Sequence, residues 1–140
     1  ARQEGQRRLV DIATLTGAAR IALGTKASAV LGNNQPLIDR VLKAGEETGE
    51  RMWQLPLFEE YREQIASKVA DIKNTGGQPA GAITAAYFIS EFAEEVPWAH
   101  MDIAGTARVD QDNGYLVTGS TGVGVRTLVN LVVDLAEKPE

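Results

Sequence analysis

The stretch Leu9-Val-Asp-Ile-Ala-Thr-Leu-Thr-Gly17 predicts a short buried strand that ends in a turn. The strand covers Leu9–Thr14, an apolar run that contains valine and isoleucine, and the closing glycine permits the turn. A second stretch, Trp98-Ala-His-Met-Asp-Ile-Ala-Gly-Thr106, follows a proline and predicts another strand over Trp98–Ile103. Ligands in α/β folds collect beyond the C-terminal ends of strands, so the two turns are the first candidates for a functional site.

Helices are predicted between these strands and after them, an alternation that is typical of an α/β layer structure. Pro36 can open a helix because its missing N–H is harmless there, and Gly49 can end it. The predicted helices, of which the first is a short helix or a tight connector, are Ala18–Leu23, Pro36–Thr48, Leu57–Ile65, Ala80–Phe92 and Thr121–Ala136. The other predicted strands are Ala27–Leu31, Met52–Leu55 and a weak candidate at Val69–Ile72. The last helix has its predicted apolar stripe at Val125, Leu128, Val132 and Leu135.

Size and composition predict one domain over residues 1–140, since no linker, repeat or low-complexity segment divides the chain. The net charge of -5 argues against a nucleic-acid partner, because phosphate binding requires clustered lysine and arginine. The absence of cysteine excludes disulfides and thiolate chemistry, and it fits a cytoplasmic protein. No apolar run approaches the roughly 18 residues of a membrane span, so no membrane partner is expected.

His100 and Asp102 lie two positions apart on a predicted strand, so their side chains point to the same face. They could bind a metal or act as base and orienter, although a lone histidine in an apolar strand is more often a hydrogen-bonded core residue. A serine hydrolase triad with Ser120 is possible in composition, but nothing in the sequence fixes its geometry. A zinc site would need several carboxylates, and Asp11, Asp71 and Asp102 are far apart in the sequence. Structural roles are the favoured interpretation for each of them.

The stretch Gly119-Ser-Thr-Gly-Val-Gly124 precedes a predicted helix, so its backbone N–H groups could attract an anion. It has the residue order of neither common phosphate-binding loop, and a tight turn capped by Ser120 or Thr121 is the favoured interpretation. Arg126 follows in the first turn of the helix, where a cation opposes the helix dipole. This position suggests a specific partner for Arg126, such as a carboxylate or a subunit contact, although a solvated arginine is the favoured interpretation.

Seven segments, in this order, resemble the leucyl (cytosol) aminopeptidase family over most of the chain. They are Asp11-Ile-Ala-Thr-Leu-Thr-Gly-Ala18, Ile21-Ala-Leu-Gly24, Trp53-Gln-Leu-Pro-Leu57, Ala70-Asp-Ile-Lys-Asn74, Ala80-Gly-Ala-Ile-Thr-Ala85, Trp98-Ala-His-Met-Asp-Ile-Ala-Gly105 and Thr121-Gly-Val-Gly-Val-Arg-Thr-Leu128. The resemblance implies an α/β fold with a mixed sheet flanked by helices, as in the C-terminal half of the family's catalytic domain. It also implies a homo-oligomer, since the family forms hexamers, and removal of N-terminal, leucine-like residues from peptide substrates.

The resemblance implies two divalent metal ions, manganese or zinc, in the intact family enzyme. The family's ligands are a lysine and several carboxylates, some from an Asn-Thr-Asp-Ala-Glu-Gly-Arg motif whose arginine holds a bicarbonate that serves as general base. That motif is not in this sequence, and its position would lie before Ala1. We therefore assign no metal ligand and no catalytic residue to this chain, and we expect it to bind no metal.

The part of the site that the resemblance does carry over is the wall that receives the substrate. By this resemblance, Leu15 offers a backbone carbonyl and Gly17 a backbone N–H, Thr14 lines the same edge, and three further residues build the side-chain pocket. The substrate-binding residues implied in this way are Thr14, Leu15, Gly17, Thr75, Ala104 and Ala107. His100 and Asp102 are placed behind the pocket as structural residues.

The sequence thus favours part of a metal-dependent aminopeptidase, a fragment that carries the substrate-pocket wall and is inactive by itself. A second hypothesis is a non-catalytic binding or assembly module that keeps the aminopeptidase-like fold. The third, an unrelated serine hydrolase with Ser120, His100 and Asp102, remains open at this point.

Overall fold

The computed structural model describes residue 5 and residues 7–138. Its strands are β1 (Leu9–Ala13), β2 (Ser28–Gly32), β3 (Met52–Gln54), β4 (Trp98–Asp102), β5 (Arg108–Val109) and β6 (Gly119–Ser120). Its α-helices are α1 (Gly17–Leu23), α2 (Gln35–Thr48), α3 (Gly81–Ala93) and α4 (Val125–Glu137), and a 3₁₀ helix covers Glu59–Ile65. The fold is therefore a mixed α/β fold, as predicted.

Four of the strands form one sheet in the order β1-β4-β2-β3. β1 runs parallel to β4, while β2 runs antiparallel to β4 and parallel to β3. The C-terminal ends of β1 and β4 therefore lie at the same edge of the sheet as the first residues of β2 and β3. The short strands β5 and β6 form a separate antiparallel pair.

Helices cover both faces of the sheet. Each strand contributes side chains to both faces, because successive strand residues point to opposite sides. On one face, Trp98 and Leu31 pack against residues of α1 and α3, including Ala19 and Ala86. On the other face, the buried residues belong to the cluster Val30, Ala99, Met101, Val41 and Leu131, which joins the sheet to α2 and α4. Arg40 of α2 adds an ion pair of 2.7 Å with Asp134 of α4, which lowers the pKa of Asp134 chiefly through this hydrogen bond.

The predicted strand at Val69–Ile72 is wrong. In the structure this segment turns, and its only strand-like feature is an isolated bridge between Ala66 and Ile72. The hydroxyl of Ser67 accepts hydrogen bonds from the N–H groups of Val69 and Ala70, at 3.2 and 3.1 Å, which bends the backbone. Val69 is 98% exposed, so no burial favours an extended conformation.

The predicted start and stripe of the last helix also need correction. α4 begins at Val125, because Gly122 and Gly124 before it have φ angles of 68° and 92°, outside the helical region. Val125 and Val132 are 60% and 63% exposed and do not belong to the buried stripe. The residues that face the sheet are Thr127, Leu128, Leu131 and Leu135. The valines made the periodicity ambiguous because they form an additional, outward-facing apolar row.

Within residues 5 and 7–138, no helix combines the length and the apolar character that are needed to cross a membrane.

Candidate functional site

A single buried carboxylate, that of Asp102, joins the two turns that follow β1 and β4. Its Oδ1 accepts hydrogen bonds from the backbone N–H groups of Leu15 and Ala104, both at 3.1 Å, and a longer one of 3.4 Å from that of Thr16. Its Oδ2 accepts a hydrogen bond of 2.7 Å from the hydroxyl of Thr16. Thr16 in turn caps α1, since its Oγ1 accepts from the N–H of Ala19 at 2.9 Å. The turn after β1, the start of α1 and the turn after β4 are therefore held as one unit.

Five of the six predicted substrate-binding residues lie on this unit or beside it. Thr14, Leu15 and Gly17 belong to the first turn and the start of α1, and Ala104 and Ala107 follow β4. The N–H of Ala107 donates to the carbonyl of Ile103 at 2.8 Å, which closes the second turn. A Cβ added to Gly17 would meet no atom within 4 Å, so the start of α1 faces open space.

Close backbone packing fixes the second turn from behind. A Cβ added to Gly105 would collide with the carbonyl oxygen of Gly24, the residue that follows α1. The hydroxyl of Thr106 lies 2.6 Å from that of Ser28, the first residue of β2. The turn after β4 is therefore attached to its neighbours on both sides, and only a residue without a side chain fits at position 105.

Thr75, the sixth predicted residue, lies in a different loop. It is exposed, and its hydroxyl accepts a hydrogen bond of 3.3 Å from the N–H of Gly77 in its own loop. The loop is anchored on α3, because Gly76 packs against the side chain of Thr84 with no room for a Cβ. Among the described residues, no hydrogen bond joins Thr75 to the turns held by Asp102.

His100 belongs to a cluster in the core and faces no solvent. Its Nδ1 lies 2.6 Å from Oδ1 of Asp11 on the neighbouring strand, and Oδ2 of Asp11 accepts a hydrogen bond of 2.6 Å from Nε1 of Trp98. The rings of Trp98 and His100 stack with their centres 6.2 Å apart. Asp11 thus cross-links β1 and β4, which supports the structural interpretation of these residues.

The serine hydrolase hypothesis is wrong, because the three residues do not meet. His100 is fully buried and pairs with Asp11, whereas the carboxylate of Asp102 accepts hydrogen bonds from the backbone of the two turns. Ser120 is exposed and pairs with Arg108 in the β5–β6 ladder.

A conventional metal site is also missing from the part of the chain that the structure describes. No group of three or more histidine, cysteine, aspartate or glutamate side chains converges there. Asp71 is exposed in the segment after the 3₁₀ helix and does not join Asp11 or Asp102. These residues therefore do not fit a site for two metal ions.

Glu50 is the structural residue that the sequence analysis missed. Its Oε2 accepts hydrogen bonds from the N–H and the hydroxyl of Thr127, at 2.9 and 2.7 Å, and its Oε1 accepts one of 3.3 Å from Nε of Arg126. Burial of Glu50 opposes its charge, but the hydrogen bonds from Thr127, Arg126 and the backbone of Gly124 outweigh this effect and lower its pKa. The carboxylate therefore occupies the N-terminus of α4 and satisfies its backbone N–H at Thr127.

Arg126 has specific partners, so the favoured interpretation of a solvated arginine is wrong and the alternative, a carboxylate partner, is confirmed. Besides Glu50, its guanidinium contacts the hydroxyl of Tyr115 at 3.3 Å and lies 5.6 Å from the centre of that ring. The turn before α4 is capped by Thr121, as expected, since its hydroxyl accepts a hydrogen bond of 3.2 Å from the N–H of Val123. The first turn of α4 itself is capped by Glu50.

Comparison with known proteins identifies the family that this sequence resembles. Residues 1–129 match the family model described as the cytosol aminopeptidase family, catalytic domain. A probable cytosol aminopeptidase of Alkaliphilus metalliredigens is 54% identical over 131 residues, which are 94% of this chain and 26% of that protein. A probable cytosol aminopeptidase of Solibacter usitatus is 53% identical over 134 residues, or 96% of this chain and 28% of that protein. The chain spans about a quarter of the length of these relatives.

Solved structures show the same similarity in three dimensions. A mutant of tomato leucine aminopeptidase matches with a TM-score of 0.89 and 40% identity, over 95% of this chain and 26% of that one. The bottromycin maturation enzyme BotP, solved in complex with manganese, matches with a TM-score of 0.88 and 40% identity, over 93% of this chain and 29% of that one.

Proposed function

This chain belongs to the cytosol aminopeptidase family, and we propose that it forms the substrate-receiving part of an aminopeptidase, a hydrolase that removes N-terminal residues from peptides. The observation that carries the proposal is the pair of turns held by Asp102 at one edge of the sheet. Such a position, beyond the C-terminal ends of strands, is where α/β proteins bind their ligands.

The backbone of the first turn is suited to an extended peptide. The N–H of Leu15 already donates a hydrogen bond to Asp102. Gly17 is the first residue of α1, so its N–H has no partner within the helix. We propose that the carbonyl of Leu15 accepts a hydrogen bond from the substrate backbone and that the N–H of Gly17 donates one to it. Thr14 is exposed beside them and would line the same edge.

The side chain of the N-terminal residue would be received by small residues. Ala104 and Ala107 follow β4, and their small side chains would leave room for a larger one, while Thr75 would complete the pocket from its own loop. This composition favours large apolar residues such as leucine at the N-terminus of the peptide.

The family is metal-dependent, and the related BotP was solved with manganese. Since the described residues contain no cluster that fits a pair of metal ions, we propose that the ligands for two manganese or zinc ions lie outside these described residues. On this proposal the chain is a fragment with respect to catalysis: it binds and orients the substrate, and it does not activate the water. A cytoplasmic location is proposed from the names of the relatives.

The test is hydrolysis of leucine amide by the purified chain, with manganese or zinc added, together with backbone amide NMR. We expect no hydrolysis, and we expect leucine amide to shift the signals of Leu15, Gly17, Ala104 and Ala107 while signals at Lys68, in a distant exposed loop, stay constant. Turnover that a chelator abolishes would show that the chain has metal ligands of its own. The absence of shifts at the turns would contradict the substrate-binding role.

A second candidate is a non-catalytic assembly module, and one observation favours it. α4 exposes an apolar row at Val125, Val129 and Val132, each at least 60% exposed, and such a row is suited to a subunit contact. We propose that the chain forms a homo-oligomer, as hexamers are formed in the family. Light scattering should give a mass that is a multiple of the 15.0 kDa chain mass. Val129→Asp should lower the measured mass, whereas the matched substitution Val69→Asp should leave it unchanged. A monomer under all conditions would argue against this candidate.

A further inference from the structure

A small cavity of about 120 Å³, which we call the basic cavity, lies at the same edge of the sheet as the turns held by Asp102. Thr106 lines it, and the hydroxyl of Thr106 meets that of Ser28 at the start of β2. The rest of its wall comes from the segments that precede β2 and β3, from the β5–β6 region and from the start of α4. None of the residues proposed to bind the substrate lines the basic cavity.

Positive charge converges on the basic cavity. Lys26, Arg51 and Arg126 line it, and Glu50 is the one acidic residue among the lining residues. Among the described residues, neither Lys26 nor Arg51 forms an ion pair, although both also border a neighbouring cavity to which Asp39 and Glu46 contribute.

Glu50 neutralises only one of these charges, because its carboxylate is paired with Arg126. Its side chain is 3% exposed, and both oxygens accept hydrogen bonds from Thr127 and Arg126. The hydroxyl of Thr121 is also occupied, since it donates to the carbonyl of Thr106 at 2.7 Å. The donors that remain available at the basic cavity are therefore Lys26, Arg51 and Nη1 of Arg126, since Nη2 of Arg126 already donates to the hydroxyl of Tyr115.

We propose that the basic cavity binds a small oxyanion, a phosphate or carboxylate group. The basic cavity, at about 120 Å³, is several times larger than the roughly 10–15 Å³ that a single water requires, so it has room for a group of a few atoms. Arginine favours oxyanions in particular, because its planar guanidinium can donate two parallel hydrogen bonds to them. The proposal goes beyond the aminopeptidase function and does not depend on it.

The test is calorimetric titration of the chain with inorganic phosphate and, in a separate arm, with acetate at the same ionic strength. We expect saturable binding of at least one of the two anions, and the tighter one identifies the preferred group. Arg51→Gln should weaken that binding about tenfold, because hydrogen bonds to charged groups are the stronger ones. Lys26→Gln should weaken it as well, whereas Lys68→Gln, which removes an equal charge far from the basic cavity, should not.

Both Lys26 and Arg51 are exposed, so their loss should leave the fold intact, and circular dichroism checks this. If one of the two variants failed to fold, the other would still carry the comparison. Absence of saturable binding of either anion would overturn the proposal. Equal weakening by Lys68→Gln would overturn it too, since the effect would then come from net charge and not from this cavity.

Discussion

Removal of the Asp102 carboxylate should destabilise the chain more than almost any other single substitution of a polar residue. In Asp102→Ala, the N–H groups of Leu15 and Ala104 and the hydroxyl of Thr16 would lose their acceptor. A buried donor without a partner costs about 1–3 kcal/mol, and three such losses are not independent, so we expect a loss of about 3–5 kcal/mol. In Asp102→Asn, the carbonyl oxygen can still accept the two backbone hydrogen bonds, and the Thr16 hydroxyl can turn to accept from the new amide. The expected loss is then about 1–2 kcal/mol.

Urea denaturation followed by circular dichroism measures both free energies of unfolding. With a slope of about 2 kcal/mol per molar urea, Asp102→Ala should lower the midpoint by about 1.5–2.5 M. Asp110→Ala is the matched control, because Asp110 is 81% exposed in its side chain and forms only a 3.8 Å ion pair. Its midpoint should stay nearly constant. If Asp102→Ala changed the free energy of unfolding by less than about 1 kcal/mol, the two turns would not be held by this carboxylate, and the account of the site would be refuted.

Two further substitutions test neighbouring parts of the structure. The pKa of Glu50 is lowered in the folded chain, so its contribution to stability is present above the ordinary value of 4.5 and is lost as the pH falls through the folded pKa. Urea denaturation should therefore give Glu50→Gln a free energy of unfolding about 1–3 kcal/mol below that of the parent at pH 7, and this difference should shrink towards pH 3. A difference that stays constant with pH would contradict the assignment. Gly105→Ala should cost about 1–3 kcal/mol or more in the same assay, because the new Cβ collides with the carbonyl of Gly24, while Gly17→Ala, which meets no atom within 4 Å, should be close to neutral. Equal effects of the two glycine substitutions would show that the turn after β4 is not packed as described.

The sequence predicted which segments form the central strands, but it could not predict their arrangement. β1, β2 and β4 are short apolar runs bounded by turn residues, which is a local signal. The antiparallel position of β2 beside β4 depends on the register of Val30 with Met101, which no local pattern contains. The sequence also could not predict where the 3₁₀ helix begins. The helical spacing of Leu57–Ile65 predicts a helix from Leu57, but Phe58 is 61% exposed and lies outside the helix.

The two turns of the candidate site were predictable because their residues are close in sequence, whereas the contacts between distant residues were not. The two turns could be found because each directly follows an apolar strand. The link between them could not, since Leu15 and Asp102 are 87 residues apart and the bond joins a backbone N–H to a side chain. Glu50 was missed for the same reason, because its partner Thr127 lies 77 residues further on. Arg126 gave the one available signal, since a cation in the first turn of a helix predicts a nearby anion.

The most direct measurement of the central claim is hydrolysis of leucine amide by a chimaera. The matched 131 residues of this chain would replace their counterpart in the Alkaliphilus metalliredigens relative, with which they are 54% identical. Our account predicts manganese- or zinc-dependent activity within about tenfold of the unaltered relative, and a large loss when Asp102→Ala is introduced into the chimaera. A folded chimaera that binds metal but does not hydrolyse leucine amide, beside an active unaltered relative, would contradict the claim that this chain receives the substrate.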